Sequence, residues 1–267
     1  MSDWRPRLIA TDMDGTLLRG DESVSAATLA ELERWRGDGV PVALATGRPP
    51  RWMRGIREVL GYGEAVCCNG AVLLDLARFE ILEEDLLEAE TMRRVTAELR
   101  ALEPDVAFAV EYGLEFRHEP LYQPRWDLDG PGVDAAPLDE MLGAPVAKLL
   151  ARHELLPRDE FVGLVERVVG EHATVTTSSE TALAEISAAG VSKGSGLAKL
   201  AARHGVGPED VVVFGDMPND IAAFDWVREG GGRAVAMAHA HPDVLAAATD
   251  VTLTNEEDGV AEFLRSL

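Results

Sequence analysis

Short apolar runs and amphipathic stretches alternate along the first part of the chain. Apolar runs of three or four residues bounded by polar turns predict buried strands, and apolar residues spaced by three or four predict helices. This order of elements is typical of a parallel sheet with crossover helices. The predicted elements are strands at 8–10, 42–45, 65–68 and 71–74, and helices at 25–36 and 51–60.

The middle of the chain follows a different pattern. Two short apolar runs separated by Tyr112-Gly113 predict a β-hairpin, and residues 119–145, which are rich in Pro, Gly and Asp, predict a long loop. Strands joined by hairpins and accompanied by helices indicate an α+β insertion. The predicted elements are strands at 106–110, 114–117, 147–151, 174–177 and 183–186, and helices at 91–102 and 159–169.

Alternation of strands and helices resumes after Gly190. The fully apolar run at 211–214 predicts a buried strand between helices at 194–204 and 218–227. We therefore predict an α/β fold in which a doubly wound parallel-sheet core carries an inserted α+β cap. The predicted domains are residues 1–82 and 190–267 for the core and residues 83–189 for the cap.

The composition is that of a globular protein with a strong acidic excess. Hydrophobic residues make up 46% of the 267 residues, and 47 acidic against 25 basic side chains give a net charge of −22. This charge disfavours contact with nucleic-acid phosphates, so we expect no nucleic-acid partner. No apolar run approaches the ~20 residues of a membrane span, and we see no signal-peptide pattern. Because the adjacent Cys67 and Cys68 provide no disulfide framework, we expect a cytoplasmic protein without a membrane partner.

Two acidic residues follow the first predicted strand directly. Asp12 and Asp14 stand one residue apart in a polar turn, at the carboxyl end of the strand, where the functional crevices of open α/β sheets lie. Gly15 permits a sharp turn whose backbone amides can face an anion. For either acid taken alone, an ordinary capping or turn role stays open.

Further polar residues occupy the corresponding ends of later elements. Thr46 follows the second strand, Lys193 precedes a helix, and Asp216 and Asp220 follow the apolar strand at 211–214. Several acids that converge on one point require a cation, because like charges at short distance disfavour ionisation. Oxygen-only ligands indicate Mg²⁺ rather than Zn²⁺.

These residues belong to a series of five short motifs along the chain. The motifs are Asp-x-Asp-Gly-Thr-Leu-Leu at 12–18, Thr-Gly-Arg at 46–48, Asn-Gly-Ala at 69–71, Lys-Gly at 193–194 and Gly-Asp-x-x-Asn-Asp at 215–220. In order and spacing they resemble those of the haloacid dehalogenase (HAD) superfamily. Within that superfamily the chain is similar to the Cof-type phosphatases with a large α/β cap of the C2 type, and its closing segment at 251–261 matches that subfamily too.

The resemblance implies a phosphatase mechanism. Asp12 would attack phosphorus and form an aspartyl-phosphate, and Asp14 would protonate the leaving alcohol and then activate water. Phosphate oxygens would be bound by Thr46, Lys193 and Asn219. The second acid of the first motif argues against dehalogenation, because a halide leaving group needs no proton.

The resemblance also implies a magnesium site and two substrate contacts. Gly47 and Arg48 would lie against the substrate, although a pairing of Arg48 with a core acid stays open. Asp220, together with Asn219, would support the metal shell. The implied Mg²⁺ ligands are Asp12, the backbone carbonyl of Asp14, Asp216 and Asp220.

The chain departs from the subfamily that it resembles after the Ala-Val-Ala-Met run at 234–237. The subfamily commonly shows Gly-Asn-Ala there, whereas this chain has Ala238-His239-Ala240. We interpret His239 and His241 as loop histidines, because no third metal ligand is visible nearby. In the cap, several residues are candidate substrate contacts, with exposed-loop roles left open. These candidates are Glu111, Tyr112, Arg117, His118, Tyr122, Arg125 and Trp126.

We therefore predict a Mg²⁺-dependent phosphomonoester hydrolase. Its substrate is expected to be a small phosphorylated metabolite, such as a sugar phosphate or a cofactor precursor. One alternative is a phosphosugar mutase, which must protect its aspartyl-phosphate from water. A more distant one is a non-hydrolytic phospho-acceptor or binding protein, since receiver domains use similar residues but carry no inserted cap.

Overall fold

The chain forms two compact units in a computed structural model that describes residues 4–122, 132–177 and 181–267. The first unit comprises the chain up to residue 48 together with residues 53–82 and 192–267. The second comprises residues 49–52 and 83–191. The sequence predicts that residues 49–52 belong to the core and that the cap ends at residue 189. In the structure, residues 49–52 belong to the second unit, and that unit ends at residue 191.

The first unit is built from the two ends of the chain. The N-terminal part contributes β1 (Leu8–Thr11), α1 (Ala26–Gly37), β2 (Val42–Ala45), α2 (Arg54–Leu60), β3 (Glu64–Cys67), β4 (Val72–Asp75) and β5 (Glu80–Glu84), whose last two residues belong to the second unit.

The described part of the second unit contains α3 (Ala89–Leu102), β6 (Ala107–Tyr112), β7 (Glu115–His118), β8 (Val133–Ala135), α4 (Leu138–Met141), β9 (Lys148–Arg152), α5 (Arg158–Val169), β10 (Ala173–Thr176) and β11 (Leu183–Ala188). The first unit then resumes with α6 (Lys193–Arg203), β12 (Val211–Gly215), α7 (Ile221–Gly230), β13 (Arg233–Ala236), α8 (Pro242–Ala247), β14 (Asp250–Val251) and α9 (Gly259–Arg265).

The first unit is organised around an eight-stranded sheet in the order β14-β13-β12-β1-β2-β3-β4-β5. The strands from β14 to β3 are parallel, and β4 runs antiparallel to β3. Apolar residues of α6, α7 and α8 pack on one face, and Phe263 of α9 contacts Phe214 on the other. This arrangement confirms the predicted doubly wound α/β core. Because the chain leaves β1 for β2 on one side while β12 lies on the other, β1 marks a switch point of the sheet.

The second unit contains a six-stranded sheet in the order β10-β11-β9-β6-β7-β8. Its strands pair antiparallel, as expected for the predicted α+β insertion, and only the pairing of β7 with β8 among the described strands is parallel. Helices α3 and α5 cover one face with apolar side chains. The prediction of one long loop at 119–145 was wrong, because β8 and α4 lie within it. Both are very short elements, so they leave little periodic signal.

Helix α6 begins at a fixed place because its first turn is capped. Ser192 accepts a hydrogen bond from the backbone N–H of Ser195, and Ser195 Oγ accepts one from the backbone N–H of Ser192. The helix lies against the chain at Gly70: a Cβ at Gly196 would stand 2.5 Å from a methyl of Val66 and 2.7 Å from the Cα of Gly70. This close approach carries Lys193, the first residue of α6, to the sheet edge.

Among the described residues, no helix is both long and apolar enough to cross a membrane.

Replacement of this glycine tests the close approach. We expect Gly196→Ala to lower the free energy of unfolding by about 1–3 kcal/mol, because the added methyl overpacks the contact with β3. Gly55→Ala is the matched control, since Gly55 is also helical and a Cβ there meets nothing within 4 Å. The control should be neutral or stabilising by up to about 1 kcal/mol, as alanine favours helix. Urea unfolding measures both. Equal stability of the two variants would contradict the packing argument.

Candidate active site

The carboxyl ends of three neighbouring strands meet at one edge of the first unit's sheet. Asp12 follows β1, Thr46 follows β2, and Asp216 follows β12, and all three residues are buried. The backbone N–H of Asp12 donates to the carbonyl of Phe214 at 2.9 Å, which extends the β1–β12 pairing to the site. The parallel sheet therefore brings together side chains that are about 200 residues apart in the sequence.

Lys193 joins two of the carboxylates. Its Nζ donates to Asp12 Oδ1 at 2.8 Å and to Asp220 Oδ1 at 2.6 Å, and the ammonium is fully enclosed. The other oxygen of Asp220 accepts hydrogen bonds from the backbone N–H groups of Asp216 and Met217, each at 3.0 Å. Asp220 therefore orients both the lysine and the loop that follows β12.

Asp12, Asp216 and Asp220 form a buried cluster in which one carboxylate oxygen from each lies within 4.8 Å of the others. Three carboxylates against the single ammonium of Lys193 leave an excess of negative charge in a buried place. Hard oxygen donors in such a setting suit a divalent cation such as Mg²⁺. The residues present therefore fit the predicted metal.

The loop after β1 approaches Asp216 through Gly15 and Thr16. Thr16 Oγ1 donates to Asp216 Oδ1 at 2.8 Å. Gly15 has a positive φ of +76°, and a Cβ there would stand only 2.4 Å from Asp216 Oδ2. The turn thus requires glycine both for its conformation and for this contact. From the sequence we singled out Gly15 for the turn but did not identify Thr16 as a site residue.

The cluster shifts the proton affinities of its members. Burial raises the pKa of Asp12 well above its usual value, although Lys193 acts in the opposite direction. Burial opposes the charge of Lys193, but the carboxylates of Asp12 and Asp220 outweigh it and raise the pKa of Lys193 above its usual value. Burial raises the pKa of Asp216 to about 6, against the hydrogen bond from Thr16. The lysine therefore stays charged, while Asp216 without a metal is poorly accommodated as an anion.

Asp14 differs from the other acids because it lies at the solvent side of the site. Its side chain is 56% exposed, and Arg48 Nε donates to its Oδ2 at 2.9 Å, with a second bond from Arg48 Nη2 to Oδ1. Arg48 Nη2 also lies 3.4 Å from Glu22 Oε1. Of the two roles left open for Arg48, the structure thus shows the pairing with an acid of the core, and substrate contact stays a prediction.

The predicted phosphate-binding groups surround the same edge. Thr46 Oγ1 accepts the backbone N–H of Arg48 at 3.0 Å, which leaves its hydroxyl hydrogen available to another acceptor. Asn219 Nδ2 donates to Asn69 Oδ1 at 3.0 Å, and Asn219 Oδ1 is buried without a partner among the described residues. Gly47 faces this pair, because a Cβ there would lie 3.2 Å from Asn69 Oδ1.

The two histidines of the loop after β13 differ from each other. His239 lies in an exposed turn, which agrees with its interpretation as a loop histidine, and its Nε2 lies 3.9 Å from Asp216 Oδ2, a neighbour that the sequence did not predict. His241 instead caps α8, where its Nδ1 accepts the backbone N–H of Asp243 at 3.3 Å. The sequence signal for this contact is the position of His239 in the loop after β13, because the neighbouring strand β12 is followed directly by Asp216.

Within the second unit, a buried ion pair occupies the sheet face opposite the helices. Arg51 donates two hydrogen bonds to Glu111, both at 3.0 Å, and its guanidinium lies 4.7 Å from the ring centre of Phe116. Burial raises the pKa of Glu111, against the hydrogen bonds from Arg51. Lys148 Nζ donates to Glu185 Oε1 at 2.8 Å beside them. Sequence reasoning singled out Glu111 but missed Arg51, Lys148 and Glu185, whose partners are distant in the chain.

The other candidate contacts of the second unit are placed as follows. Tyr122 is buried beside Phe116, the hydroxyl of Tyr112 donates to the carbonyl of Met141, and Arg117 lies near Glu115 and Glu140. His118 Nδ1 lies 2.8 Å from the carbonyl of Glu119. Arg125 and Trp126 fall outside the described residues.

The raised pKa of Asp216 makes stability depend on pH. Its folded-state pKa of about 6 exceeds its ordinary value, so the stability that this group contributes is present at low pH and lost as the pH rises through 6. Asp216→Asn removes the charge and retains an oxygen for Thr16. We expect the variant, studied with a chelator present, to be more stable than wild type at pH 8 by about 1–3 kcal/mol.

The difference should disappear below about pH 3, where the wild-type carboxyl is protonated in both the folded and the unfolded state. Urea unfolding at both pH values measures it. Asp225→Asn, at a position that is 41% exposed on α7, serves as the control and should shift stability by less than about 0.5 kcal/mol at either pH. A variant at Asp216 that is less stable than wild type at pH 8 would overturn the burial argument.

Comparison with known proteins places this site in a family. A family model described as haloacid dehalogenase-like hydrolase matches residues 9–264. The chain is 29% identical to 5-amino-6-(5-phospho-D-ribitylamino)uracil phosphatase YitU of Bacillus subtilis, over 98% of this chain and 97% of that one. It is 27% identical to pyridoxal phosphate phosphatase YbhA of Escherichia coli, over 97% and 98% of the two chains.

The fold comparison agrees with the sequence comparison. A solved structure of a haloacid dehalogenase-like hydrolase from B. subtilis superposes with a TM-score of 0.81 at 25% identity, covering 98% of this chain and 99% of that one. These matches confirm the resemblance inferred from the five motifs, and the relatives named above are phosphatases. With a matching family model that spans nearly its whole length, the chain belongs to the haloacid dehalogenase-like hydrolases, a family of enzymes.

Proposed function

We propose that this protein is a Mg²⁺-dependent phosphomonoester hydrolase that acts on small phosphorylated metabolites through an aspartyl-phosphate. The observation that carries the proposal is the position of Lys193, whose enclosed ammonium bonds Asp12 and Asp220 beside the carboxylate of Asp216. This arrangement places three kinds of group close together: a carboxylate that can act as nucleophile, a cation that can bind phosphate oxygens, and oxygens that can bind a metal. Phosphoryl transfer needs in-line positioning and charge neutralisation at that point.

Asp12 is the proposed nucleophile. Lys193 accounts for its Oδ1, so Oδ2 is the oxygen proposed to form the bond to phosphorus while the bond to the leaving oxygen breaks. The Lys193 ammonium, the Thr46 hydroxyl and the Asn219 amide bind the non-bridging phosphate oxygens. The enclosed position of Asp12 keeps the carboxylate away from bulk water, which strengthens its electrostatic interactions with these groups.

Asp14 is the proposed acid and base. It protonates the leaving alcohol in the first step and takes a proton from the attacking water in the second, when phosphate is released from Asp12. Its exposed side chain supports this role, because both the leaving alcohol and the water must exchange with solvent. Arg48 holds the Asp14 carboxylate by two hydrogen bonds and so fixes its direction.

The proposed metal site consists of Asp12, the backbone carbonyl of Asp14, and Asp216, with Asp220 supporting them. When bound, Mg²⁺ supplies charge neutralisation for the phosphate and for the buried carboxylates. Asp216 is oriented for this role by Thr16 on Oδ1, and Asp220 is fixed by Lys193 and two backbone N–H groups.

The substrate class rests on the relatives. The names of the B. subtilis and E. coli relatives each specify a phosphate ester of a small molecule, a ribitylaminouracil phosphate in one and pyridoxal phosphate in the other. At 27–29% identity over nearly the whole chain, we extend to this protein the class of small phosphorylated metabolites and no single compound.

Replacement of Asp12 tests the reaction class. Wild type should release inorganic phosphate from members of a panel that includes sugar phosphates, pyridoxal phosphate and ribitylaminouracil phosphate, and chelation of Mg²⁺ should stop the release. Asp12→Asn should lower the rate by at least about 10³-fold, because an amide cannot form the acyl phosphate. Asp225→Asn is the control and should retain the wild-type rate. Full activity of Asp12→Asn would eliminate the proposed nucleophile.

Replacement of Asp14 tests the two-step mechanism. With 4-nitrophenyl phosphate, whose leaving group needs little protonation, Asp14→Asn should still form the phospho-enzyme but hydrolyse it slowly. We expect a burst of one nitrophenolate per enzyme, then turnover reduced by about 10²–10⁴-fold. Intact-protein mass spectrometry should show one added phosphoryl group, absent in the variant that also carries Asp12→Asn. A wild-type enzyme that keeps its phosphoryl group and releases no phosphate would favour a mutase or a phospho-acceptor instead.

A further inference from the structure

His239 lies in a loop whose backbone is hydrogen-bonded, on both sides of this residue, to the last residue of β12 and to the residue that follows it. The backbone N–H of Met237 donates to the carbonyl of Gly215 at 3.1 Å, and that of His241 donates to the carbonyl of Asp216 at 2.8 Å. His239 stands between these two anchors. Its position beside Asp216 therefore follows from the sheet-edge hydrogen bonds and not from side-chain packing alone.

The imidazole of His239 faces one particular oxygen of Asp216. Thr16 bonds Oδ1 of Asp216, and His239 Nε2 lies 3.9 Å from Oδ2. That separation is too long for a hydrogen bond. Two ligand atoms that each lie about 2.1 Å from one ion are about 3.0 to 4.2 Å apart, depending on the angle between them. The distance from Nε2 to Oδ2 falls within this span, so one ion can contact both atoms.

The chemistry of the donor set changes when a nitrogen joins the carboxylates. Mg²⁺ strongly prefers oxygen ligands, whereas Mn²⁺, Co²⁺ and related transition-metal ions bind imidazole well. The side chain of His239 is 37% exposed, so its nitrogen can reach an ion without the cost of burying the whole ring.

We propose that His239 Nε2 is a ligand of the ion held at Asp216 Oδ2, and that the site consequently prefers Mn²⁺ or Co²⁺ over Mg²⁺ more strongly than a site with oxygen ligands alone. This inference rests on the proposed metal site. It concerns an additional ligand and the choice of metal, which the phosphatase proposal does not require. Asn at this position, the residue common in the subfamily, removes the imidazole while it keeps a side chain of similar polarity.

The test measures metal binding directly, without substrate. Metal-free wild type, His239→Asn, His241→Asn and Asp216→Asn are titrated with MnCl₂ and with MgCl₂ by calorimetry, and their Mn²⁺ complexes are examined by pulsed electron paramagnetic resonance for coupling to imidazole nitrogen. We expect the nitrogen coupling in wild type and in His241→Asn, and its loss in His239→Asn. His239→Asn should weaken Mn²⁺ binding by at least about 10-fold and change Mg²⁺ binding by less than about 3-fold.

The outcomes separate this inference from the proposal on which it rests. Mn²⁺ binding that depends on Asp216 but shows no nitrogen coupling in wild type would overturn the role of His239 and leave the metal site standing. Equal losses of Mn²⁺ and Mg²⁺ affinity in His239→Asn would also overturn it, because a structural role predicts no metal preference. Binding of neither ion, or binding unaffected by Asp216→Asn, would reject the metal site itself together with the inference.

Discussion

The enclosed ammonium of Lys193 is the contact on which the first unit's site depends. It donates hydrogen bonds to Asp12, which follows β1, and to Asp220, which lies in the turn before α7. The lysine therefore links two loops that are far apart in the sequence. A buried charge of this kind is tolerated only when it is paired, and removal of one partner leaves the other uncompensated. Its placement requires α6 to begin where Ser192 caps it and to lie close to Gly70. Helix capping, helix packing and charge pairing therefore together determine where the ammonium of Lys193 lies.

The charge balance around that lysine also explains why the cluster is poised for a ligand. Three buried carboxylates exceed one ammonium, and the pKa of Asp216 rises to about 6 because its anion is poorly solvated there. Any cation that enters the proposed site relieves this unfavourable charge and stabilises the folded state by its binding free energy. Stability and function are in this sense opposed in the metal-free protein, since a neutral residue at 216 would fold better and bind worse.

The sequence predicts the frame of the molecule better than its details. Apolar runs such as 42–45 and 211–214 are strong signals because parallel strands are buried on both faces, and the motifs follow them directly. The edge strand β5 and the short β8 escaped prediction, as an acidic or three-residue segment carries little periodicity. Thr16 was not identified as a site residue, and the neighbour of His239 was not predicted, for another reason. Their significance comes from contact with Asp216, about 200 and 23 residues away, and only the register of the sheet creates it.

The grouping of residues 49–52 with the second unit determines which segments must be exchanged together when this unit is replaced by that of a related protein. The chain passes between the two units four times, after residues 48, 52, 82 and 191, rather than twice as a single insertion would. Arg51 in the short segment supplies the partner of the buried Glu111. A chimera that exchanged only residues 83–191 with those of a relative would separate this pair and leave a buried carboxylate without its cation. Domain exchange in evolution or in the laboratory must therefore move the tetrapeptide and the insertion together.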